Sequence, residues 1–161
     1  ATTAAQVGVL DIADQRSRGV EVDVGWQPAP EWRFLANYAY TDAEIVDSDS
    51  PFEGNELQRV PEHSGRLAIR YDFVEGPLEG LGLGIGVTAL SSQPGDLGNT
   101  FFTDAYATVD AQISYRRGPV EAAIGIDNLF DSDAFVPNFL FQGNTAPIQP
   151  FTVAGRLKVT F

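Results

Sequence analysis

Few residues of this chain are suited to acid–base or nucleophilic chemistry. His63 is the one histidine, and it stands shortly after Pro61 where a strand is predicted to begin. A catalytic triad needs a histidine beside a nucleophile and an orienting acid, and we find no motif of that kind around His63. Cysteine is absent, which excludes disulfides and thiolate metal sites. We therefore expect neither an enzyme nor a bound cofactor.

Carboxylates crowd one predicted loop, and oxygen ligands of this kind suit calcium. Their spacing does not match an EF-hand loop, which needs acidic residues at alternating positions and a central glycine. We therefore expect a solvated acidic loop and no metal site, formed by Asp42, Glu44, Asp47, Asp49, Glu53 and Glu56.

Phenylalanines are frequent in two other predicted loops. Exposed aromatic rings in loops can form a vestibule in which a ligand stacks. Packing of the loops against one another is the alternative. The candidate ligand-binding residues are Phe101, Phe102, Phe135, Phe139 and Phe141.

Length and charge restrict the class of protein. The chain has 161 residues and a net charge of −12, which argues against nucleic acid as a partner because binding phosphates needs a basic face. No run approaches the roughly 20 apolar residues of a membrane helix. There is no signal peptide and no methionine, so we expect a piece of a longer protein.

The strongest pattern has a period of two, which is typical of β-strands with one apolar face. In the last segment, Val153, Leu157 and Val159 alternate with Arg156 and Lys158. The same alternation predicts seven clear strands, with a weaker eighth at Thr2–Leu10 and no helix between them. The clear strands are Arg18–Trp26, Trp32–Asp42, Ser64–Phe73, Leu81–Ala89, Ala105–Arg116, Val120–Asp127 and Phe151–Phe161.

One face of these strands is predicted to be free of charge, whereas the other carries charges of both signs. A shift of one residue would move those charges to the apolar face, so the register is strongly specified. In a transmembrane barrel the charged face lines the lumen. The residues expected there are Glu21, Asp23, Arg33, Arg66, Arg70, Asp72, Asp110, Arg116, Glu121, Asp127, Arg156 and Lys158. Gly82, Gly84 and Gly86 share this face and leave space on it, which suits either a plug or a bend of the sheet.

Connection lengths and aromatic positions distinguish a membrane barrel from a soluble fold. Short connections at Gln27–Glu31, Gly76–Gly80 and Arg117–Pro119 alternate with long ones at Ile45–Glu62, Ser91–Asp104 and Leu129–Pro150. Outer-membrane barrels have short periplasmic turns and long external loops, with aromatic girdles at the interfaces. The apolar-face aromatics beside the short turns or at the chain end are Trp26, Trp32, Phe73, Tyr115 and Phe161.

Several segments together resemble the TonB-dependent siderophore receptors. The run from Gln15 to Asp23, QRSRGVEVD, resembles a strand of that family. Five further segments occur in the same order as in that family: WRFLANYAYTDA from Trp32, VPEHS from Val60, GLGLGIGV from Gly80, YATVD from Tyr106 and DNLFD from Asp127. The terminal strand also resembles the assembly signal of outer-membrane proteins, with Phe151, Val153, Leu157, Val159 and Phe161 as its residues.

The resemblance implies an all-β fold: an antiparallel transmembrane β-barrel segment of about eight strands within a barrel of roughly 22. Residues 1–161 would be the C-terminal portion of the receptor barrel, without the plug domain. The implied function is outer-membrane uptake of ferric siderophores. Its implied partners are a ferric siderophore, the TonB complex through a missing N-terminal part, the outer-membrane assembly machinery and membrane lipid.

Two alternatives remain open from the sequence. One is a self-contained, passive barrel of eight strands, whose lumen would be filled by side chains. The other is a soluble β-sandwich that binds a ligand and buries its apolar face.

Overall fold

The computed structural model describes residues 14–47, 49–138 and 143–160. Seven antiparallel strands form one sheet in the order β1-β2-β3-β4-β7-β8-β11. Two short ribbons, β5 with β6 and β9 with β10, lie in the long connections. The strands are β1 (Gln15–Ala29), β2 (Trp32–Ile45), β3 (His63–Asp72), β4 (Leu81–Leu90), β5 (Gln93–Pro94), β6 (Phe102–Thr103), β7 (Tyr106–Arg117), β8 (Val120–Asp127), β9 (Phe135–Pro137), β10 (Thr145–Pro147) and β11 (Thr152–Val159).

The seven strands of the sheet are those predicted from the alternation, and most of their ends differ by one to three residues. Strands β1 and β2 are longer than expected, with 15 and 14 residues. The two short ribbons were not predicted, because segments of two or three residues carry no periodic signal. The weak eighth strand, Thr2–Leu10, lies outside the described residues.

The prediction that the apolar face carries no charge is wrong at one end of the sheet. Arg18 pairs with Asp42 in the register that also pairs Val20 with Tyr40, so both charges share the face of these apolar residues. Their side chains approach to 3.9 Å. Arg18 and Asp42 lie where β1 and β2 extend towards the long loops. The apolar face therefore ends in charged side chains on that side.

The apolar face has no covering layer among the described residues. Val22, Ile113 and Leu157 are 49%, 50% and 70% exposed. Only Ala43 and Ile45 are buried hydrophobic residues in the described part of the chain. A soluble sandwich would bury this face against a second sheet, so the structure contradicts that alternative.

Among the described residues, the sheet is open at both edges. Strands β1 and β11 end the strand order and do not pair with each other. Unpaired edges of this length favour pairing with further strands, and the sheet is thus a section of a larger barrel. In the same described ranges, no helix is long and apolar enough to cross a membrane.

Short and long connections lie at opposite ends of the sheet, as predicted. The short ones span residues 30–31, 73–80 and 118–119, and the long ones span 46–62, 91–105 and 128–151. We refer to these as the short-turn end and the long-loop end.

Aromatic rings line the apolar face at the short-turn end. Trp32 lies 5.7 Å from Phe34 and 4.8 Å from Tyr71 between ring centroids. Trp26 and Phe73 extend this row at 5.0 Å from Phe34 and 4.9 Å from Tyr71. A continuous aromatic row across three strands and the following turn is typical of a membrane interface.

A second aromatic cluster lies towards the long-loop end of the same face. The hydroxyl of Tyr38 and Nδ1 of His63 are 2.8 Å apart, and the Tyr40 ring lies 5.3 Å from the His63 ring. The histidine thus has a structural role in an aromatic cluster, with both tyrosines supplied by β2.

Candidate functional site

Ionic side chains lie flat across the polar face and join strands that are not neighbours. Arg66 on β3 donates from Nη1 to Thr88 Oγ1 on β4 at 2.6 Å and to Asp110 Oδ2 on β7 at 2.8 Å. Gly86 lies on β4, between β3 and β7. An added Cβ at Gly86 would lie 2.9 Å from Nη2 of Arg66. The glycine therefore leaves the space through which the guanidinium reaches β7.

Arg70 crosses β4 in the same way, four residues further along β3 towards the short-turn end. Its Nε and Nη2 donate to the carboxylate of Asp72 at 2.9 and 2.6 Å. Nη2 also donates to Ser114 Oγ at 2.7 Å and Nη1 to Gln112 Oε1 at 3.2 Å. An added Cβ at Gly82 would lie 2.2 Å from Nη2. The space predicted at Gly82 and Gly86 is thus occupied by the chain's own arginines.

The other predicted lumen-facing residues differ in their partners. Arg116 and Glu121 form an ion pair of 2.7 Å across β7 and β8. Asp127 accepts a hydrogen bond from Gln149 Nε2 at 3.3 Å. In the described ranges, no hydrogen-bond or ion-pair partner is present for the side chains of Glu21, Asp23, Arg33, Arg156 and Lys158.

The first two long connections are fastened to each other by hydrogen bonds. Asn99 donates from Nδ2 to the carbonyl of Glu56 at 3.0 Å and accepts from its backbone N–H at 2.8 Å. Asn55 donates to the carbonyl of Leu97 at 2.9 Å, and Gln58 donates to that of Gly95 at 2.7 Å. These two connections therefore form one ordered layer over the long-loop end.

Asp96 closes a turn within this layer. Its carboxylate accepts hydrogen bonds from the backbone N–H and the hydroxyl of Thr100, which hold the pKa of Asp96 below its ordinary range. A carboxyl with a lowered pKa in the folded state stabilises the turn above about pH 4, the ordinary value for Asp. That contribution is lost as the pH falls through the lowered pKa.

We therefore expect amide exchange at Thr100, corrected for the intrinsic effect of pH, to become faster as acid protonates Asp96. Asp96→Asn has no carboxylate to protonate and serves as the control, with exchange that is already faster and insensitive to pH below 5. Hydrogen exchange read by mass spectrometry measures both. Equal pH profiles for the two proteins would refute this role of Asp96.

Asn128 organises the start of the third long connection. It is 3% exposed and has a left-handed backbone with φ of 49°. Its Nδ2 donates to the carbonyls of Ser132 and Gln149 at 3.0 and 3.1 Å, and its Oδ1 accepts from the N–H of Ser132 at 2.9 Å. The backbone N–H of Asn128 donates to Asp110 Oδ1 at 3.2 Å, which links the loop base to the ion pair with Arg66.

Replacing Asn128 should loosen the whole third connection. Asn128→Ala leaves the part-buried carbonyls of Ser132 and Gln149 without their side-chain donor, a loss of about 1–3 kcal/mol. Asn128→Gly retains the left-handed backbone without strain and lacks the same hydrogen bonds. We expect both variants to lower the midpoint of thermal unfolding of the intact receptor, with the glycine variant slightly less affected. If the unfolding midpoint of Asn128→Gly equals that of the wild type, the hydrogen bonds of the Asn128 side chain do not contribute to stability.

The candidate aromatic residues do not share one environment. Phe102 and Phe135 are 48% and 55% exposed, on β6 and β9. The ring of Phe101 covers Gly95, since an added Cβ there would lie 2.0 Å from it. Phe139 and Phe141 lie outside the described residues. Phe101 thus packs within the loop, and the other two described rings face solvent.

Two residues of the predicted acidic loop, Asp42 and Glu44, lie on β2 instead, because that strand is longer than expected. Within the described ranges, no group of three or more His, Cys, Asp or Glu could hold a metal ion. Glu44 instead pairs with Arg16, and Arg18 lies 3.7 Å from Glu44.

The terminal strand presents its predicted assembly residues on one face. Phe151, Val153, Leu157 and Val159 are 46%, 55%, 70% and 43% exposed. Phe161 is outside the described residues.

Comparison with known proteins identifies the class. The family described as "TonB dependent receptor-like, beta-barrel" matches residues 2–129. The ferrichrome outer membrane transporter/phage receptor of Escherichia coli (strain K12) is 36% identical over 123 residues, 73% of this chain and 16% of the relative. The metal-pseudopaline receptor CntO of Pseudomonas aeruginosa (strain UCBPP-PA14) is 33% identical over 120 residues, 73% of this chain and 17% of the relative.

The crystal structure of the ferric yersiniabactin uptake receptor FyuA from Yersinia pestis has the same fold, with a TM-score of 0.79 and 19% identity. The alignment covers 91% of this chain and 24% of that one. The class is therefore that of outer-membrane β-barrels. More specifically, the chain belongs to the TonB-dependent receptor β-barrel family, which is a family of transporters and receptors. It spans less than a fifth of the two curated relatives.

Proposed function

We propose that this chain is the C-terminal part of the barrel of an outer-membrane receptor that takes up ferric siderophores with energy delivered through TonB. The observation that carries the proposal is an open, two-faced sheet in a member of this family. Relatives named for ferrichrome and metal–pseudopaline support a chelated metal as cargo. The chain has no catalytic role in this proposal.

The two faces and two ends then have separate tasks. The apolar face contacts lipid and the polar face lines a wet interior. The short turns lie in the periplasm and the long loops outside the cell, where exposed Phe102 and Phe135 are available to a cargo. The exposed apolar side of β11 is the signal that the outer-membrane assembly machinery recognises. The plug domain and the TonB-contacting segment belong to parts of the protein outside residues 1–161.

Uptake of radioactive iron by cells that carry or lack the gene tests this function. We expect uptake of ferrichrome or ferric yersiniabactin to need the gene and to stop when the proton-motive force is collapsed. A passive barrel would continue to admit the chelate without that force. Uptake that is indifferent to the gene for every ferric chelate tried would overturn the proposed cargo class.

Binding at the loops is tested separately on the intact receptor. Phe102→Ala and Phe135→Ala should weaken chelate binding at least threefold each, because each removes a stacking surface. Phe130→Ala is a matched control, since Phe130 is also an exposed loop phenylalanine at 72% but was not among the aromatic candidates. Fluorescence titration with the ferric chelate measures all three, and equal affinities would remove these rings from the binding site.

A further inference from the structure

A groove lies on the apolar face near the long-loop end of the sheet. It has a volume of about 640 Å³ and extends across β2, β3 and β4. We call it the outer-face groove, and the residues that define it are Tyr38, His63, Gly65, Leu67, Val87 and Ala89. In the strand register Gly65 stands between Tyr38 and Ala89. The small residues Gly65 and Ala89 form the floor, and Tyr38 stands beside it.

The groove begins where the apolar band of the sheet ends. His63 lies eight residues along β3 from Tyr71, which belongs to the aromatic row at the short-turn end. At about 3.3 Å per residue and a strand tilt of about 40°, the two residues are roughly 20 Å apart along the membrane normal. The apolar band of a barrel is about 25 Å tall. His63 therefore lies near the second interface, and Leu67 and Val87 continue the groove towards the bilayer centre.

Two side chains place hydrogen-bonding groups at the head of the groove. The hydroxyl of Tyr38 lies 2.8 Å from Nδ1 of His63. In the part of the chain that the structure describes, Nε2 of His63 has no hydrogen-bond partner. Tyr38 is 46% exposed, so both groups are accessible from the lipid side. The groove thus joins an apolar slot to a hydrogen-bonding pair.

The charges beyond the groove do not favour an anion. Arg16 and Arg18 share this face with Asp42 and Glu44, and Arg16 pairs with Glu44. Arg18 lies 3.9 Å from Asp42 and 3.7 Å from Glu44. Glu62, just before β3, adds a further negative charge. A phosphate group would meet no net positive charge here, so recognition of a ligand depends on the hydrogen-bonding pair.

The width of the groove indicates an acyl chain as its occupant. The floor spans two neighbouring strands, which are about 4.8 Å apart. Within hydrocarbon, a polypeptide partner must be a helix or a closed barrel, and a helix with its side chains is about 10 Å wide. An extended hydrocarbon chain is narrower than a helix. The groove is also continuous with the apolar face, which contacts lipid along its whole length.

We propose that the outer-face groove holds one acyl chain of an outer-leaflet glycolipid, with Tyr38 and His63 hydrogen-bonded to the amide and hydroxyl groups at the head of that chain. The inference rests on the proposed orientation, in which the apolar face contacts lipid and the long loops lie outside the cell. The outer leaflet of a bacterial outer membrane consists mainly of acylated glycolipid, so this occupant is present where the groove begins. The phosphates of the glycolipid add little to its binding.

Titration of the full-length receptor in detergent with lipid A, read by native mass spectrometry, measures the affinity. Ala89→Phe fills the groove and should weaken binding at least about tenfold, because the acyl chain loses buried methylene contacts. Ala107→Phe is the matched control, since Ala107 stands opposite Ala89 on β7 but does not line the groove. Its affinity should stay within about twofold of the wild type. Equal losses in both variants, or no loss in either, would overturn the proposal.

The hydrogen-bonding pair is tested by Tyr38→Phe and His63→Phe, which retain an aromatic ring at each position. Each should weaken binding about three- to tenfold, the worth of one hydrogen bond. Arg18→Gln should leave the affinity unchanged, because phosphate recognition is not involved. Unchanged affinity in both phenylalanine variants, or a loss in Arg18→Gln as large as theirs, would contradict the assigned mode of recognition.

A change of lipid separates glycolipid recognition from a general affinity for phosphate-bearing lipids. Diphosphoryl and monophosphoryl lipid A should bind with the same affinity. Phosphatidylglycerol lacks the amide and hydroxyl groups and should bind at least about fivefold more weakly. Affinity that follows the number of phosphates, or equal affinity for phosphatidylglycerol, would overturn the proposal. Iron uptake is measured separately, so failure of the lipid site and failure of the transport proposal are distinguishable.

Discussion

Ile124→Lys should destabilise the folded receptor by about 2–4 kcal/mol in a lipid bilayer. Ile124 lies near the middle of β8, on the apolar face, and is 51% exposed. A lysine on the lipid-facing side of a transmembrane barrel has this cost close to the midplane of the bilayer. Urea titration of the receptor folded into vesicles, read by the gel mobility of folded and unfolded protein, measures the difference.

The neighbouring position supplies the control. Gly125 is the next residue of the same strand and belongs to the polar face, where an added side chain meets open space. Gly125→Lys should therefore change stability by less than about 1 kcal/mol, as most surface substitutions do. If both lysines were tolerated equally, or if Gly125→Lys were the more damaging, the assignment of the two faces would be wrong.

Gly80→Ala should cost roughly 2–4 kcal/mol, because two separate effects add at this position. Gly80 has a φ of 90°, which disfavours any residue with a Cβ, and its Cβ would lie 2.1 Å from the carbonyl oxygen of Arg116. Relief of that contact breaks the 2.8 Å hydrogen bond from Arg116 N–H to the Gly80 carbonyl. The 73–80 turn would then move away from β7.

Gly76 in the same turn separates the two effects. Its φ is 83°, but an added Cβ would have nothing within 4 Å. Gly76→Ala should therefore show only the conformational penalty of about 1–2 kcal/mol. Thermal unfolding of both variants of the intact receptor measures the difference, and equal losses would mean that the approach to Arg116 is unimportant.

The sheet could be predicted from the sequence because each strand carries a strict alternation. Leu67, Ile69 and Tyr71, for example, alternate with Arg66 and Arg70 on β3, and only a strand with two distinct environments explains such a pattern. The positions of the turns followed from glycine and proline together with the lengths of the connections.

Lateral contacts could not be predicted in the same way, since they depend on the register between strands. The sequence shows glycines on alternate positions of β4, but not that Arg66 and Arg70 of β3 lie across them. The role of Asn128 was also missed. The signal available was the DNLFD motif, in which an asparagine directly after a strand is suited to a left-handed turn.

The loops were the least predictable part. Asn55, Gln58 and Asn99 fasten two connections about 40 residues apart in sequence, and no periodicity relates them. These hydrogen bonds can form only after the strands have brought the two connections together.

The orientation of the two faces is tested most directly by spin labels at single cysteines, since residues 1–161 contain none. Labels at Val22, Ile69, Ile113 and Leu157 report on the apolar face, and labels at Asp23, Ala68, Gln112 and Ala154 on the polar face. In receptor reconstituted in bilayers, the first four should collide more with oxygen and the second four more with a water-soluble nickel chelate. Accessibility that does not alternate, or nickel collisions greatest at the first four sites, would contradict the account.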